Sequence, residues 1–177
     1  FYTFKSNIVS FTDKNIKLQD LDAIVFDFDG VMTDDHVYIS EEGKESVKCF
    51  RGDGLAIDVL RNLGARLFII STETNKVVKQ RAKKLKIPVI HGVNNKKQTL
   101  IDLSTKEEIN LDQVLYLGND LNDYEAMQIC GYSACPSNSH HKIKDISRHV
   151  LKRNGGSGAI RELVEDILEV DILKFLK

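Results

Sequence analysis

Val25-Phe26-Asp27-Phe28-Asp29-Gly30-Val31-Met32-Thr33-Asp34 sets two carboxylates two residues apart at the close of an apolar run. Ala23 to Phe26 is apolar throughout, the pattern of a strand buried on both faces of a parallel sheet. Gly30 marks its end. Side chains at i and i+2 of a continuing strand share a face, whereas a bend at Phe28 or Asp29 would converge both carboxylates on one ion. Two anions that close are costly without a cation. A polar strand end followed by an ordinary turn also accounts for Asp-Gly, but leaves a later acidic cluster at Asp120 and Asp123 unexplained.

Downstream, His36 to Ser40 and Ser46 to Phe50 alternate around Glu41-Glu42-Gly43-Lys44, which predicts a β-hairpin flap over about residues 36–50. Leu55, Val59, Leu60 and Leu63 follow helical spacing, with Gly64 where a left-handed cap belongs. Arg66 to Thr72 reads as a second buried strand ending in hydroxyls. A helix from about Asn75 to Lys86 turns Val77, Val78, Ala82 and Leu85 inward, and Pro88 to Ile90 is a third strand. A loop carries Lys96 and Lys97 to a helix with Leu100, Ile101 and Leu103. Val114 to Leu117 is a fourth strand, ending in Gly118-Asn119-Asp120-Leu121-Asn122-Asp123 before a helix that runs to Gly131. Tyr132 to Cys135, Ser139 to Ile146 and His149 to Leu151 read as strand, short helix and edge strand. Gly155-Gly156-Ser157-Gly158 then opens a last helix, whose stripe of Ile160, Leu163, Val164, Ile167 and Leu168 suits core or subunit packing.

Strands alternating with helices predict an α/β fold with a doubly wound parallel sheet and right-handed crossovers. Ligands bind beyond the carboxyl ends of such strands. Asp27, Asp29, Ser71, Thr72, Asn119, Asp120 and Asp123 all fall at that edge.

With 177 residues, 42% of them hydrophobic, the chain suits one domain, expected over 21–177 with residues 1–20 as a leader outside the core. A net charge of −1 supplies no field for nucleic acid or an anionic membrane. No apolar run reaches bilayer length and the amino terminus lacks a signal pattern, so a cytoplasmic protein is inferred. Cys49, Cys130 and Cys135 are odd in number and lack zinc-type pairs, which suggests idle thiols. His91, His140 and His141 read as loop or surface histidines.

An edge with clustered carboxylates and no grouped His or Cys favours magnesium. Magnesium attracts phosphate, Ser71 can donate to a phosphoryl oxygen, and Lys96 can neutralise charge there. Asp27 and Asp29 suit an attacking carboxylate and an acid that protonates the leaving oxygen before activating water.

Asp27-Phe28-Asp29-Gly30-Val31-Met32-Thr33-Asp34, Ser71, Lys96 and Gly118-Asn119-Asp120-Leu121-Asn122-Asp123, in that order, resemble the four motifs of haloacid dehalogenase superfamily phosphatases. The resemblance implies Asp27 as nucleophile and magnesium ligand, and Asp29 as general acid and base with its carbonyl on the metal. It also implies Ser71 and Gly30 at the phosphate with Thr33 assisting, and Lys96 holding nucleophile and phosphate. Where the family has aspartate after the last motif's glycine, this chain has Asn119; its amide oxygen can bind magnesium, with Asp120 or Asp123 supplying charge. Neither gap between motifs has room for a cap domain.

Among capless members, the chain is similar to phosphatases of 3-deoxy-octulosonate 8-phosphate and of nine-carbon keto-sugar acid 9-phosphates, which are tetramers. Glu73 and Lys84 fall where the nine-carbon branch carries a Glu and Lys pair, so a small-molecule sugar-acid phosphate of that length is expected. Arg161 is a candidate for the substrate carboxylate, or for a salt bridge with Glu162 or Glu165. The chain also resembles the carboxyl-terminal, non-catalytic domain of acylneuraminate cytidylyltransferases, and its start at Phe1 fits a domain fused to a cytidylyltransferase upstream.

Overall fold

The computed structural model describes residues 16–176. Ala23–Phe26 forms β1, with all four residues buried. It pairs in parallel with β4 (Leu67–Ser71) on one side and β6 (Val114–Leu117) on the other. β5 (Val89–His91) lies outside β4, while β7 (Tyr132–Cys135) and β8 (His149–Val150) extend beyond β6, so the sheet runs β5-β4-β1-β6-β7-β8, parallel throughout. After β5 the chain crosses back to the far side of β1, which makes the β1–β6 boundary the switch point where such sheets open a crevice.

Alternation along the strands divides the core. Ile24, Phe26, Ile69 and Leu117 face α1 (Arg51–Asn62) and α2 (Lys76–Leu85), while Val25, Phe68, Ile70 and Tyr116 face α3 (Lys96–Glu107), α4 (Tyr124–Gln128) and α5 (His141–Ile146). Asn75 and Asn95 cap α2 and α3 by accepting from the Val77 and Gln98 amides. Lys96 is therefore the first residue of α3 rather than part of the loop before it.

The hairpin consists of β2 (Thr33–Ile39) and β3 (Glu45–Cys49), antiparallel and not joined to the main sheet. It starts three residues before the expected point because Thr33, fully buried, already pairs with Cys49. The stripe at the end of the chain is core: Ile160, Leu163, Val164 and Leu168 are buried, from α6 (Ala159–Glu162) through a π-helical turn at Leu163–Ile167, ahead of α7 (Ile172–Phe175).

The expected leader is described only from Ile16 onward. Residues 1–15 lie outside the described ones, but Ile16 is buried in the core and Leu18 and Leu21 pack against it, because apolar side chains there cover the edge of the α1 face. Between Asp29 and Ser71 the chain spends its length on the hairpin and α1, and between Lys96 and Asn119 on α3 and β6, so no cap is built from either gap.

Candidate active site

After Phe26 the backbone leaves the strand and turns: Met32 and Thr33 both donate to the Phe28 carbonyl, at 2.9 and 3.1 Å. This bend ends the strand directly after Asp27 and carries Asp29 out of its line. Gly30 sits in the left-handed region at φ +70°, and a Cβ there would lie 1.8 Å from Asn119 Nδ2, so a larger residue would strain the backbone and displace the Asn119 side chain.

Asp27 is buried at the end of β1. Its Oδ1 accepts the Phe28 amide at 2.7 Å and lies 2.7 Å from Lys96 Nζ. The same ammonium donates to Asp123 Oδ1 at 2.7 Å. A lysine at a helix amino terminus opposes the helix dipole; two buried carboxylates hold it there. Burial would push Lys96 down, but Asp27 and Asp123 outweigh it and hold the ammonium above its ordinary value. Burial, then Asp123, push the Asp27 carboxyl well above the usual range, against the pull of Lys96. Asp29, more open, is pushed up to about 6 by burial and then by Glu73 and Asp35.

Ser71 ends β4, is buried, and its Oγ accepts the Glu73 amide at 3.0 Å, which leaves its proton to donate elsewhere. Asn122 Nδ2 reaches Thr72 Oγ1 at 3.3 Å and ties the β4 and β6 loops together. Lys97, only partly buried, touches neither carboxylate, so Lys96 is the lysine of the site.

Several expected residues sit elsewhere. Thr33 is 0% exposed and its Oγ1 accepts the Gly30 and Asp35 amides, so it braces the turn and has no surface for phosphate; the Gly30 amide is spent on that brace. Asp123, expected among the metal ligands, has both oxygens engaged: Oδ1 by Lys96 and the Tyr116 hydroxyl, Oδ2 by the Asn119 and Asp120 amides. Asp120 is exposed and accepts the Leu121 amide. Lys84 lies at the far end of α2, eight residues or about 12 Å of helix from Lys76, so one chain does not bring it to Glu73. Arg161 makes a two-pronged bond to Glu165, at 3.1 and 3.0 Å, which is the salt-bridge reading.

Tyr116 was missed: its hydroxyl donates to Asp123 at 2.9 Å from a fully buried strand, and the signal was a tyrosine in a strand with no wet face, whose hydroxyl must find a partner. His91 meets the Glu73 carbonyl and His140 caps α5, both local roles. The three cysteines are free, and burial pushes the Cys130 thiol up to about 12.

The donor set fits a hard cation. Among the described residues no three His, Cys, Asp or Glu side chains surround one metal position, so the ligands must be mixed. Asn119 Oδ1 is buried with no hydrogen-bond partner, opposite the Asp27 turn, an oxygen donor of the type magnesium takes.

The fold and this edge define a hydrolase of the haloacid dehalogenase type. Residues 65–163 match the family of haloacid dehalogenase-like hydrolases, and the chain belongs to it. It is 30% identical over 155 residues to the 3-deoxy-D-manno-octulosonate 8-phosphate phosphatase of Haemophilus influenzae, covering 86% of each protein. A protein from Streptomyces avermitilis assigned to the same hydrolase family superposes with a TM-score of 0.87 at 42% identity, over 90% of this chain and 91% of that one. The Moraxella catarrhalis 3-deoxy-D-manno-octulosonate 8-phosphate phosphatase, whose structure contains magnesium, phosphate and the sugar acid, superposes with a TM-score of 0.82 at 31% identity, over 86% and 88%. N-acylneuraminate cytidylyltransferase A of Danio rerio is 27% identical over 143 residues, which are 78% of this chain and 33% of that protein. The chain is an enzyme, a phosphatase of this family.

Proposed function

We propose that the chain hydrolyses the phosphate monoester of a keto-sugar acid through an aspartyl-phosphate on Asp27. The observation that carries this is the buried Asp27 carboxylate fixed by Lys96 at 2.7 Å, with Ser71 and Asp29 at the same strand edge. The Asp27 carboxylate attacks phosphorus while Asp29 gives its proton to the departing sugar oxygen, breaking the ester bond. Asp29 then takes a proton from water as that water attacks phosphorus, and the bond to Asp27 breaks to release phosphate. A carboxyl held at about 6 gives and takes a proton near neutrality. Ser71 and Lys96 orient the phosphoryl oxygens and offset their charge. A divalent cation, held by Asp27, Asn119 and the Asp29 carbonyl, would neutralise phosphate charge when bound.

The substrate proposed is a nine-carbon keto-sugar acid 9-phosphate. Glu73 supports it: its carboxylate is close enough to Asp29 to raise that carboxyl, a place from which it would meet hydroxyl or amino groups of the leaving sugar. The second reading, the eight-carbon octulosonate 8-phosphate, is favoured by the named activities of the relatives. Similarity to the cytidylyltransferase supports an alternative as an assembly module, against which stand Asp27 and Asp29, which such a module does not need.

A panel of eight- and nine-carbon keto-acid phosphates assayed with magnesium tests both levels. Turnover is expected on at least one, and Asp27→Asn should lower kcat by on the order of 10^4-fold. No turnover by the parent on any member sinks the enzyme reading; an eight-carbon preference in kcat/KM sinks the nine-carbon one.

A further inference from the structure

The glycine loop 154–158 packs against the catalytic turn. A Cβ on Gly155 would lie 1.8 Å from the Gly30 carbonyl oxygen, and one on Gly156 would lie 2.4 Å from the Asp34 amide nitrogen. The Gly156 amide donates to the Val31 carbonyl at 3.0 Å. The two backbones therefore lie directly against each other, and the loop fixes where the turn from Gly30 to Asp34 can sit.

The loop is fixed in its turn by a carboxylate. Glu162, 6% exposed, accepts the Lys152 amide on one oxygen and the Arg153 amide on the other, both at 2.7 Å. Asn138 Oδ1 accepts the Gly155 amide at 3.0 Å from the other side. Burying a carboxylate is costly, and two backbone donors only offset that cost. An apolar residue would serve the core as well; the carboxylate is what gives the loop one shape.

Asp29 immediately precedes Gly30, and Thr33 Oγ1 accepts the Gly30 amide, so a shift of the turn moves the Asp29 carboxyl. Misplacing a reacting group by about 1 Å costs about 100-fold in rate. We propose that Glu162 is a positioning residue for the acid–base step: it shapes the 152–158 loop, whose glycines hold the turn that aims Asp29. The proposal rests on the reading of Asp29 as acid and base.

The leaving group separates this role from general loosening. kcat/KM for phosphoryl transfer to Asp27 is compared between a primary alkyl phosphate, which needs a proton donor, and p-nitrophenyl phosphate, which does not. Asp29→Asn should lower the alkyl value by about 100-fold and the aryl value far less. Glu162→Gln, which keeps the size but offers one acceptor, should lower the alkyl value by about tenfold and leave the aryl value within about twofold. Asn138→Ala, which frees the loop at an exposed position, should show the same imbalance on a smaller scale and serves if Glu162→Gln does not fold. Equal losses on both esters, or none, with Asp29→Asn still discriminating, overturn the positioning role alone. An Asp29→Asn variant that does not discriminate overturns the acid–base reading and this proposal with it.

Discussion

An amide oxygen buried without a hydrogen bond costs about 1–3 kcal/mol relative to a satisfied one, and Asn119 Oδ1 is such an atom, at the edge of the Asp27 turn. A cation there would recover that cost. Asn119→Asp would add a full buried charge to an edge that already holds the Asp27 and Asp123 carboxylates, and like charges there repel. Two effects of opposite sign are expected: lower stability without metal, and magnesium bound about tenfold more tightly. Titration calorimetry with magnesium checks the second, and unchanged affinity means that Asn119 does not face the metal. Asp27, Asp29 and Ser71 were legible as a group because strand ends in a parallel sheet converge on one edge whatever the detail, whereas Lys96 reaches that edge from the first turn of α3. The employment of Asp123 and Thr33 as braces was not, because a carboxylate that binds metal and one that binds an ammonium look the same until the approach of Tyr116 and Lys96 is known.

Between α1 and α6 the contact is polar at one point: Asp53, in the first turn of α1, accepts the Arg161 amide of α6 at 2.9 Å, while its other oxygen has no partner. Burial raises Asp53 to about 6 from 3.8, against the Arg161 and Gly158 amides and the charges of Arg81 and Arg153. The folded chain thus holds this proton more tightly than the unfolded one. Its contribution to stability is fully present below about pH 4 and is lost as pH rises to about 6, a swing of about 3 kcal/mol. Urea midpoints of the parent and Asp53→Asn from pH 4 to 7 check this: the parent should lose ground to the variant across that window, and parallel curves would refute it. The element boundaries were largely readable from period and caps, since Asn75 and Asn95 are capping residues by type. The π-helical turn at Leu163–Ile167 was not, because the apolar stripe continues through it at helical spacing, while the Leu168 amide reaches back five residues to the Leu163 carbonyl at 2.9 Å.

At the scale of the molecule, the capless edge and the detached hairpin raise the same question. A two-stranded sheet is marginal by itself in water, yet this one presents Val37, Tyr38 and Ile39 with exposures of 50%, 55% and 69%. Val37 and Ile39 share one face of β2 and Tyr38 takes the other, so both faces of the hairpin leave apolar side chains in water. The sequence resemblance implies a homotetramer, and a second copy meeting this hairpin would both cover these apolar side chains and lend walls to an open site. Sedimentation velocity should then find the parent chain as a tetramer and Ile39→Asp as smaller species. If a neighbouring copy helps to hold the sugar, Ile39→Asp should raise KM for the keto-acid phosphate by about tenfold, about 1.4 kcal/mol, while kcat/KM for p-nitrophenyl phosphate, too small to reach a neighbour, changes little. A monomeric parent removes the assembly. A dissociated variant that keeps its KM separates assembly from substrate recognition, and places all the sugar contacts within one chain, Glu73 first among them.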